Sequence, residues 1–517
     1  MLTADILGER ARLTPDKVAL LDVPTRHRYT YRELNERAIR CAQVWATRCG
    51  LTKGERVGIL SENRVEFLDA FFAAGKSGVI LVPLSTRLTA RELETIAHDS
   101  GLRVLFFSGD YAETVRSLRQ SLALERWVTL DKPVDSSDLI YQECAASTST
   151  ADWIPTPCQA EDIYCLLYTS GTTGAPKGVM IPHRMVAWNG YNTAACWQLR
   201  DDDVAPIFTP LYHAGGLAVF LIPLFTIGGC VILHRRFDPA EVLRTMEEEK
   251  CSVVFGVPTI FKMLVDAPEF RTADFRHVRW LISGGAPLPI ELVEAFQKSG
   301  VVFKQGYGLT EAGVNCFSMT AEESLRKVGS VGKPMMFTEA RLMDAQGAEV
   351  PAGEVGELFL RGPHLSKGYW NNPEATAAAF DAHGWFHTGD LARRDEEGFF
   401  YITGRASDMF ISGGVNVYPA EIEAELLLHP AVQDAAVVGI AHPTWGEVGA
   451  AFVVARRGSA ATADELARFL GSRLAKYKIP KEFIFVDNLP RTPYGKVIKA
   501  DLTNLPLRSC SRRKGIP

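Results

Sequence analysis

Segment 168–178 combines residue types that could bind a polyphosphate. It reads Tyr-Thr-Ser-Gly-Thr-Thr-Gly-Ala-Pro-Lys-Gly and follows an apolar stretch that is typical of a buried strand. Glycines let backbone N–H groups approach an anion closely, and hydroxyl and ammonium groups add further donors. Since Lys177 is followed by Gly178 and not by Ser or Thr, the pattern differs from a Walker loop. The predicted phosphate-binding residues are Thr169, Ser170, Gly171, Thr172, Thr173, Gly174 and Lys177.

Further clusters of glycines and polar residues lie downstream of this loop. Each cluster alone is typical of a structural turn, so the prediction depends on their order and spacing. They are Ser283-Gly284-Gly285-Ala286, the run Gln-Gly-Tyr-Gly-Leu-Thr-Glu at 305–311, His-Thr-Gly-Asp at 387–390, Gly404-Arg405 with Gly413-Gly414, and Pro-Arg-Thr-Pro-Tyr-Gly-Lys at 490–496. A sixth, Pro-Leu-Tyr-His-Ala-Gly, spans residues 210–215.

The first hundred or so residues alternate between strand-like and helix-like patterns. We expect the sheet that they predict to be part of the scaffold that positions these clusters. Thr30 with Glu33, and Thr89 with Glu92, match the capping box that begins a helix. Apolar runs at 57–60, 79–84 and 104–107 read as strands between the helical segments. This rhythm predicts a largely parallel sheet covered by helices. Beyond about residue 335 the pattern indicates antiparallel strands, and beyond residue 408 a compact α+β unit.

Bulk composition limits the class of protein. A chain of 517 residues predicts two or more domains, and a net charge of -5 argues against a polycation that binds nucleic acid. The ten cysteines form no C-x-x-C pair, which is typical of reduced cytosolic thiols. Charged residues at the N-terminus argue against a signal peptide. The uncharged run 214–233 contains Pro223 and a Gly-Gly pair, so we expect a buried helix, a turn and a strand there, not a membrane span.

Taken together over residues 10–503, the clusters resemble the adenylate-forming superfamily of acyl-CoA synthetases, luciferases and nonribosomal adenylation domains. Within it the chain is most similar to bacterial medium- and long-chain fatty-acid–CoA ligases and their aryl-CoA ligase relatives. The resemblance implies a two-step reaction: a carboxylate attacks the α-phosphate of ATP and releases pyrophosphate, and the thiol of CoA then displaces AMP. It implies ATP, Mg²⁺ and CoA as cofactors or co-substrates and a small carboxylic acid as substrate.

The resemblance also implies a fold and its limits. We expect an α/β protein with a large N-terminal domain, 1–404, built of parallel-rich αβα sheets and a β-barrel-like subdomain. A hinge at 405–408, a small mobile α+β domain at 409–505 and a basic tail at 506–517 would follow. The residue that commonly acts as the hinge in the family is Asp or Lys, and Ser407 stands there in this chain, followed by Asp408.

Roles for individual residues follow from the same resemblance. One face of the small domain serves adenylation, and a second face, with Gly413, Gly414 and Trp445, serves the CoA step. His213 would lie where the acid and CoA channels meet. The remaining implied contacts are the β- and γ-phosphates for loop 169–177, Mg²⁺ for Thr169 and Glu311, adenine for Tyr307 and for Gly284, Gly285 and Ala286, ribose for Asp390, ribose or phosphate for Arg405, the α-phosphate for Thr310, and both the acid carboxylate and the α-phosphate for Lys496, with Gln305, Gly306 and Gly308 as further cofactor-binding residues.

The acid pocket is expected between the His213 segment and the segment after Glu311. Segment 208–216 has no acidic residue to bind an ammonium group, which argues against an amino acid substrate. The small residues leave room for a chain, so a medium- or long-chain fatty acid is the first expectation and an aromatic acid the second. The predicted neighbours are Trp188, Ala214, Gly215, Gly216, Gly313, Val314 and Asn315.

Alternative functions stay open from the sequence. A stand-alone adenylation enzyme could load a carrier protein instead of CoA, and a luciferase-like oxygenase would share the first step. A ligand-binding protein without activity would be expected to lack Lys496, Glu311 or Asp390, and all three are present. We expect a cytoplasmic enzyme. Peripheral membrane contact through the tail is a separate hypothesis, which rests on Arg508, Arg512, Arg513 and Lys514.

Overall fold

The computed structural model describes residues 5–151, 153–170, 176–285, 288–412, 415–456, 458–459, 461–491 and 497–503. The chain divides into two compact units. The first comprises Met1–Arg341, Phe359–Thr388 and Asp395–Tyr401, and the second comprises Leu342–Leu358, Gly389–Arg394 and Ile402–Pro517. The limits expected from the sequence for the domains and the hinge remain predictions.

Sixteen strands lie wholly within the described part of the first unit. They are β1 (Val18–Asp22), β2 (His27–Thr30), β3 (Arg56–Leu60), β4 (Ile80–Leu84), β5 (Val104–Phe107), β6 (Arg126–Thr129), β7 (Leu139–Ile140), β8 (Ile163–Ser170), β9 (Pro176–Pro182), β10 (Val204–Ile207), β11 (Cys230–Leu233), β12 (Val253–Gly256), β13 (Trp280–Ser283), β14 (Phe303–Gln305), β15 (Phe317–Ser318) and β16 (Lys333–Pro334).

The helices of the first unit alternate with these strands. They are α1 (Ile6–Leu13), α2 (Tyr31–Thr47), α3 (Val65–Ser77), α4 (Ala90–Ser100), α5 (Ala112–Ser121), α6 (Tyr141–Ala146), α7 (His183–Cys196), α8 (Ala214–Gly216), α9 (Ile222–Ile227), α10 (Pro239–Glu248), α11 (Pro258–Asp266), α12 (Ile290–Lys298), α13 (Ala321–Arg326) and α14 (Pro373–Ala379). Three 3₁₀ helices and one π-helix add to them, at Gly109–Tyr111, Pro268–Arg271, Thr310–Ala312 and Leu217–Leu221.

A seven-stranded sheet with the order β7-β6-β5-β3-β4-β8-β9 carries the predicted phosphate loop. All neighbours in it are parallel except β8 and β9, which are antiparallel. Both predicted capping boxes are present, because the Thr30 and Thr89 hydroxyls accept hydrogen bonds from the third backbone N–H of α2 and α4. The largely parallel, helix-covered sheet expected from the sequence is therefore confirmed.

Smaller sheets complete the first unit. Strands β12, β13 and β14 are parallel, and β10, β11 and β1 are parallel with β2 antiparallel at the edge. The uncharged run 214–233 forms α8, the π-helix, α9 and β11, with Gly228–Gly229 between the last two, as expected. Among the described residues no helix combines the length and hydropathy needed to cross a membrane.

Four strands lie where the division between the units crosses the chain: β17 (Glu339–Met343), β18 (Val355–Arg361), β19 (Phe386–Arg394) and β20 (Phe400–Arg405). The second unit continues with the 3₁₀ helix Ala406–Asp408, β21 (Phe410–Ser412), β22 (Val415–Val417), α15 (Pro419–Leu427), β23 (Val432–His442), β24 (Gly446–Ala455), α16 (Ala463–Gly471), the 3₁₀ helix Lys476–Lys478, β25 (Glu482–Phe485) and α17 (Lys499–Thr503).

The sheet of the second unit is buried on both faces. Its order is β22-β21-β24-β23, with β25 parallel to β24. Because successive side chains of a strand point to opposite faces, Val437 packs with α15 and α16 through Ile422 and Leu466, whereas Val438 packs on the other side with Leu502. This arrangement confirms the α+β unit expected after residue 408.

Candidate functional site

The predicted phosphate loop connects two antiparallel strands. Thr169 pairs with Lys177 in the register of β8 and β9, so the loop between them is the tip of a hairpin. No helix follows the loop directly, because β9 begins at Pro176. The loop residues Gly171, Thr172, Thr173 and Gly174 lie outside the described residues. The flanking strands therefore fix where the loop begins and ends.

Tyr369 links the phosphate loop to the predicted metal ligand, and the sequence analysis missed it. Its hydroxyl donates a hydrogen bond of 2.9 Å to Oε1 of Glu311, which lies in the 3₁₀ helix Thr310–Ala312. The ammonium of Lys177 lies 5.3 Å from the centroid of the Tyr369 ring, within the range of a cation–π contact. One side chain thus contacts both charged groups that the sequence singled out.

Backbone hydrogen bonds hold Tyr369 in this place. We call residues 366–370 the brace segment. Its Ser366 N–H donates to the Glu311 carbonyl at 2.7 Å, and its Trp370 N–H donates to the Gly178 carbonyl at 2.8 Å. The Met180 N–H donates to the carbonyl of Gly368 at 2.9 Å. The brace segment is therefore bonded at one end to the Glu311 turn and along its length to β9.

The predicted adenine-binding turns meet at one edge of the three-stranded sheet. Gly284 follows β13, and Gln305 ends β14, and the carboxyl ends of parallel strands share an edge. The Gly306 N–H donates to the Ser283 carbonyl at 2.7 Å, which ties the two turns together. Gly285 has a φ of 81°, a conformation that favours glycine. Ala286 lies outside the described residues.

The turn after Tyr307 is closed by a close backbone approach. A Cβ on Gly308 would lie 2.0 Å from the carbonyl oxygen of Val314, so only glycine fits there. Val314 itself has a φ of 64°, which is a strained conformation for a β-branched residue. The Tyr307 carbonyl accepts a hydrogen bond from the Cys316 N–H at 3.1 Å. Strain of this kind is often found at functional sites, and here it fixes the segment beside Glu311.

His213 precedes α8 and caps it. Its Nδ1 accepts a hydrogen bond of 3.1 Å from the Gly215 N–H. A backbone N–H can only donate, so Nδ1 carries no proton and the neutral ring carries its proton on Nε2. Burial lowers the pKa of His213 to about 4. His213 is therefore a neutral hydrogen-bond donor at pH 7 and not a cation.

A narrow cavity of about 30 Å³ lies where the acid pocket was expected. Its wall includes Ala214 on one side and Thr310, Gly313 and Val314 on the other, with residues of α7, β8 and β9 between them. Almost the whole lining is apolar. Trp188, also predicted here, instead packs against Phe337, with ring centroids 4.8 Å apart.

Asn189 is one of the few polar residues of the cavity wall, and the sequence did not predict it. It is 3% exposed, and its Nδ2 donates to the Ala218 carbonyl at 2.7 Å. Since only the amide nitrogen can donate to a carbonyl, this bond fixes the orientation of the amide. Its Oδ1 is buried and has no hydrogen-bond partner among the residues that the structure describes. A Cβ on Gly313 would lie 3.3 Å from this oxygen, so the glycine keeps the oxygen uncovered.

The wide turn of the π-helix supplies the carbonyl that Asn189 uses. Ala218 lies in this π-helix, and its carbonyl also accepts a hydrogen bond from the Asn315 amide at 3.3 Å. Asn315 donates in addition to the Thr193 hydroxyl at 3.0 Å. The π-helix therefore positions two buried amides, and π-helical turns are frequent at functional sites.

The second unit brings together the two residues expected at the ribose. Asp390 is 6% exposed, and its carboxylate lies 3.2 Å from Nε of Arg405. Both residues are strand residues, Asp390 in β19 and Arg405 at the end of β20. A buried carboxylate beside a guanidinium is a suitable acceptor for sugar hydroxyls.

The predicted CoA face and the predicted lysine are only partly described. Ser412 pairs with Gly446, the residue after Trp445, whose side chain is 50% exposed. Gly413 and Gly414 lie outside the described residues. Lys496 also lies outside the described residues.

No alternation or capping signal marks Tyr369 or Asn189 in the sequence. Tyr369 follows Gly368, whose φ of 103° permits the turn into the brace segment. The available sequence signal was the Gly-Tyr-Trp run that comes after β18. Asn189 lies in the mostly buried helix α7 together with a second buried amide, Asn192, and buried amides on such a helix were the available signal. Among the described residues no three His, Cys, Asp or Glu side chains cluster as a metal site.

Comparison with known proteins agrees with this geometry. Residues 7–370 match the family model "AMP-binding enzyme", and residues 421–496 match "AMP-binding enzyme C-terminal domain". A feruloyl-CoA synthase of Amycolatopsis sp is 41% identical over 493 residues, which cover 95% of this chain and 96% of the relative. A long-chain-fatty-acid–CoA ligase of Mycobacterium tuberculosis is 37% identical over 500 residues, 96% and 97% of the two chains.

Among solved structures, the o-succinylbenzoate CoA synthetase of Bacillus subtilis in complex with its acyl-adenylate intermediate has a TM-score of 0.85. It is 32% identical, and the match covers 99% of both chains. The expected adenylate-forming α/β fold is thereby confirmed. This chain belongs to the AMP-binding enzyme family and is an AMP-forming acid–thiol ligase that uses ATP, Mg²⁺ and CoA.

Proposed function

We propose that the acid which this ligase activates is a hydroxylated aromatic carboxylate of the hydroxycinnamate type. The observation that carries the proposal is the buried Oδ1 of Asn189, without a partner among the described residues, in the wall of a mostly apolar cavity. A buried acceptor left without a donor costs about 1–3 kcal/mol. A hydroxyl on the substrate would remove that cost, whereas a methyl-terminated fatty acid would not.

The shape of the cavity supports the same choice. Strand residues Leu167 and Ile181 and helix residues Met185 and Leu217 enclose it, and it measures only about 30 Å³. A flat ring requires less displacement of these side chains than a long alkyl chain does. The more similar of the two relatives above is the feruloyl-CoA synthase, at 41% identity against 37% for the long-chain ligase. The fatty acid expected first from the sequence is therefore our second choice.

The nucleotide would bind in the first unit along the hairpin and the three-stranded sheet. We assign the phosphates to the loop beside Lys177 and the adenine to the turns after β13 and β14. The hydroxyl of Thr169 and the free carboxylate oxygen of Glu311 are hard oxygen donors, and they would hold Mg²⁺, which neutralises charge on the phosphates when bound. Glu311 keeps Oε2 for this purpose because Tyr369 bonds Oε1.

His213 would orient the acid rather than deprotonate it. A carboxylic acid is already ionised at pH 7, so the first step requires no base. The neutral ring presents Nε2–H as a donor, because Nδ1 is held by the Gly215 N–H. We assign to His213 the task of hydrogen bonding an oxygen of the reacting carboxyl group, and to Lys496 the stabilisation of charge at the α-phosphate.

In the second unit the Asp390–Arg405 pair would bind the ribose hydroxyls. The 413–414 turn and Trp445 would line the path of CoA, because the exposed indole can stack on a flat ring.

The test compares kcat/KM for two acids that differ by one hydroxyl group, in the wild type and in two variants of helix α7. We expect pyrophosphate release with 4-hydroxycinnamate to have a kcat/KM about tenfold above that with cinnamate, because one buried acceptor is satisfied. In Asn189→Leu this preference should fall to about one, while Trp188→Phe, on the same helix but outside the cavity wall, should keep it. Equal kcat/KM for the two acids in the wild type, or a higher value for decanoate, would overturn the proposed substrate.

A further inference from the structure

A second cavity in the first unit contains a buried lysine. Lys304, in the middle of β14, is 7% exposed. Its ammonium lies 4.5 Å from the centroid of the Trp280 ring, a cation–π contact that compensates in part for lost hydration. Among the described residues no oxygen accepts a hydrogen bond from it. Lysine is rarely buried without an anionic partner, so this group is under-compensated.

The charged groups around Lys304 are committed to other partners. Arg279 donates from one nitrogen to both oxygens of Asp203, at 2.7 and 2.6 Å, and from another to the Gln198 carbonyl at 3.0 Å. Glu323 accepts a hydrogen bond of 2.8 Å from the Thr320 N–H in the capping box of α13. The charge of Glu323 raises the pKa of Lys304 in part, but among the described residues no carboxylate accepts a hydrogen bond from its ammonium.

The cavity beside Lys304 has a volume of about 210 Å³. This equals roughly seven times the share of one water molecule in the liquid. Its wall includes the two indoles of Trp197 and Trp280, which meet edge to face with ring centroids 5.7 Å apart, and the side chain of Met319. It thus places two cations, Lys304 and the Arg279 that is paired with Asp203, beside the two indoles, with polar residues in the rest of the wall.

We propose that this cavity binds a small aromatic carboxylate, with the carboxylate on Lys304 and the ring against Trp197 and Trp280. A carboxylate matches a single unpaired ammonium in charge. The indoles give the ring of the ligand an apolar contact that inorganic phosphate could not use. Burial and the neighbouring Arg279 lower the pKa of Lys304 to about 8, so the ammonium form still predominates at pH 7.

The location makes this site distinct from the acid pocket proposed above. None of the residues that line it lines the cavity beside Asn189. Lys304 directly precedes Gln305, the last residue of β14, so the ligand would contact the strand that leads into the adenine turn. The proposal does not depend on which acid the ligase activates.

Equilibrium dialysis with radiolabelled benzoate tests the proposal. We expect wild type to bind one benzoate more per chain than Lys304→Met, and Lys304→Arg to keep that site because the charge remains. A non-hydrolysable acyl-adenylate analogue, added at saturation, occupies the catalytic acid pocket and leaves the second site to be counted. Equal stoichiometry in wild type and Lys304→Met would overturn the proposal.

Competition on the wild-type protein gives a second measurement that needs no variant. Unlabelled benzoate should displace the label from this site at least tenfold more effectively than benzamide, which has the same shape and no charge. Equal displacement by the two compounds would also overturn the proposal. The rate of pyrophosphate release by Lys304→Met, measured in parallel, separates this result from the proposed function, since we expect that rate to be unchanged.

Discussion

Replacing Tyr369 by Phe tests whether the brace segment positions the metal ligand. The substitution removes the hydroxyl that donates to Glu311 at 2.9 Å and keeps the ring over which Lys177 lies. The backbone bonds of the brace segment involve no side-chain atom of Tyr369, so the segment should stay in place. The variant therefore isolates one hydrogen bond.

The size of the effect follows from the chemistry of that bond. A hydrogen bond to a charged group contributes about 1.5–3 kcal/mol, and the partial exposure of both side chains favours the lower end. Because about 1.4 kcal/mol is a factor of ten, we expect the Mg²⁺ concentration for half-maximal activity to rise about tenfold. A Tyr369→Leu variant also loses the cation–π contact with Lys177 and should weaken ATP binding further.

The assay is pyrophosphate release as a function of Mg²⁺ at saturating ATP and acid, with calorimetric binding of ATP at fixed Mg²⁺ as a readout independent of turnover. Saturating Mg²⁺ should restore most of the kcat of Tyr369→Phe, since the ligand is mispositioned and not removed. An unchanged Mg²⁺ dependence, or a loss of kcat that Mg²⁺ does not restore, would refute the positioning role.

Three other predictions follow from the site. Lys496→Ala should abolish adenylate formation and spare thioester formation from supplied acyl-AMP, whereas a bulky residue at Gly414 should do the reverse; equal loss of both half-reactions would contradict the two-face assignment. Burial lowers the pKa of His364 to about 4, so the unfolded chain binds the extra proton and this residue alone should lower the free energy of unfolding by about 1.4 kcal/mol per pH unit as the pH falls from about 6.5 to about 4; His364→Gln should reduce the pH dependence of the free energy of unfolding, measured by urea titration at each pH, by that amount. Gly308→Ala, whose Cβ would lie 2.0 Å from a carbonyl oxygen, should lose activity in the pyrophosphate assay, and Gly109→Ala, with no contact under 3.5 Å, should not.

The sequence predicted the elements that local signals define. The capping boxes at Thr30 and Thr89 begin helices as expected, and strand β5 begins and ends at the predicted residues. Hydroxyl–glutamate spacing and apolar runs act over a few residues, so no tertiary contact is needed to interpret them. The structure places Thr310 in the cavity wall and the two predicted adenine turns at one sheet edge, whereas their roles and that of His213 stay predictions from motifs that combine glycines with polar groups.

Contacts between distant segments could not be read in the same way. Tyr369 contacts Glu311 across 58 residues of sequence, and the Asn189 amide bonds a carbonyl 29 residues away. The carbonyl is accessible because the segment after His213 forms a π-helix, which the apolar pattern does not distinguish from an α-helix. Lys304 gave no signal either, since its burial depends on Trp280 of the neighbouring strand.

Because the proposed phosphate loop joins the two strands of a hairpin, we expect Tyr369 to be needed to hold its lysine in place. Loops that bind phosphate before a helix gain a field from the helix N-terminus and a fixed direction from the helix itself. Strand β9 follows the loop here, and strands have only small net dipoles. The positive charge must then come from Lys177, whose long side chain is flexible unless something holds it. The Tyr369 ring and the backbone bonds from the brace segment to β9 supply that constraint, and the Tyr369 hydroxyl extends it to the carboxylate of Glu311.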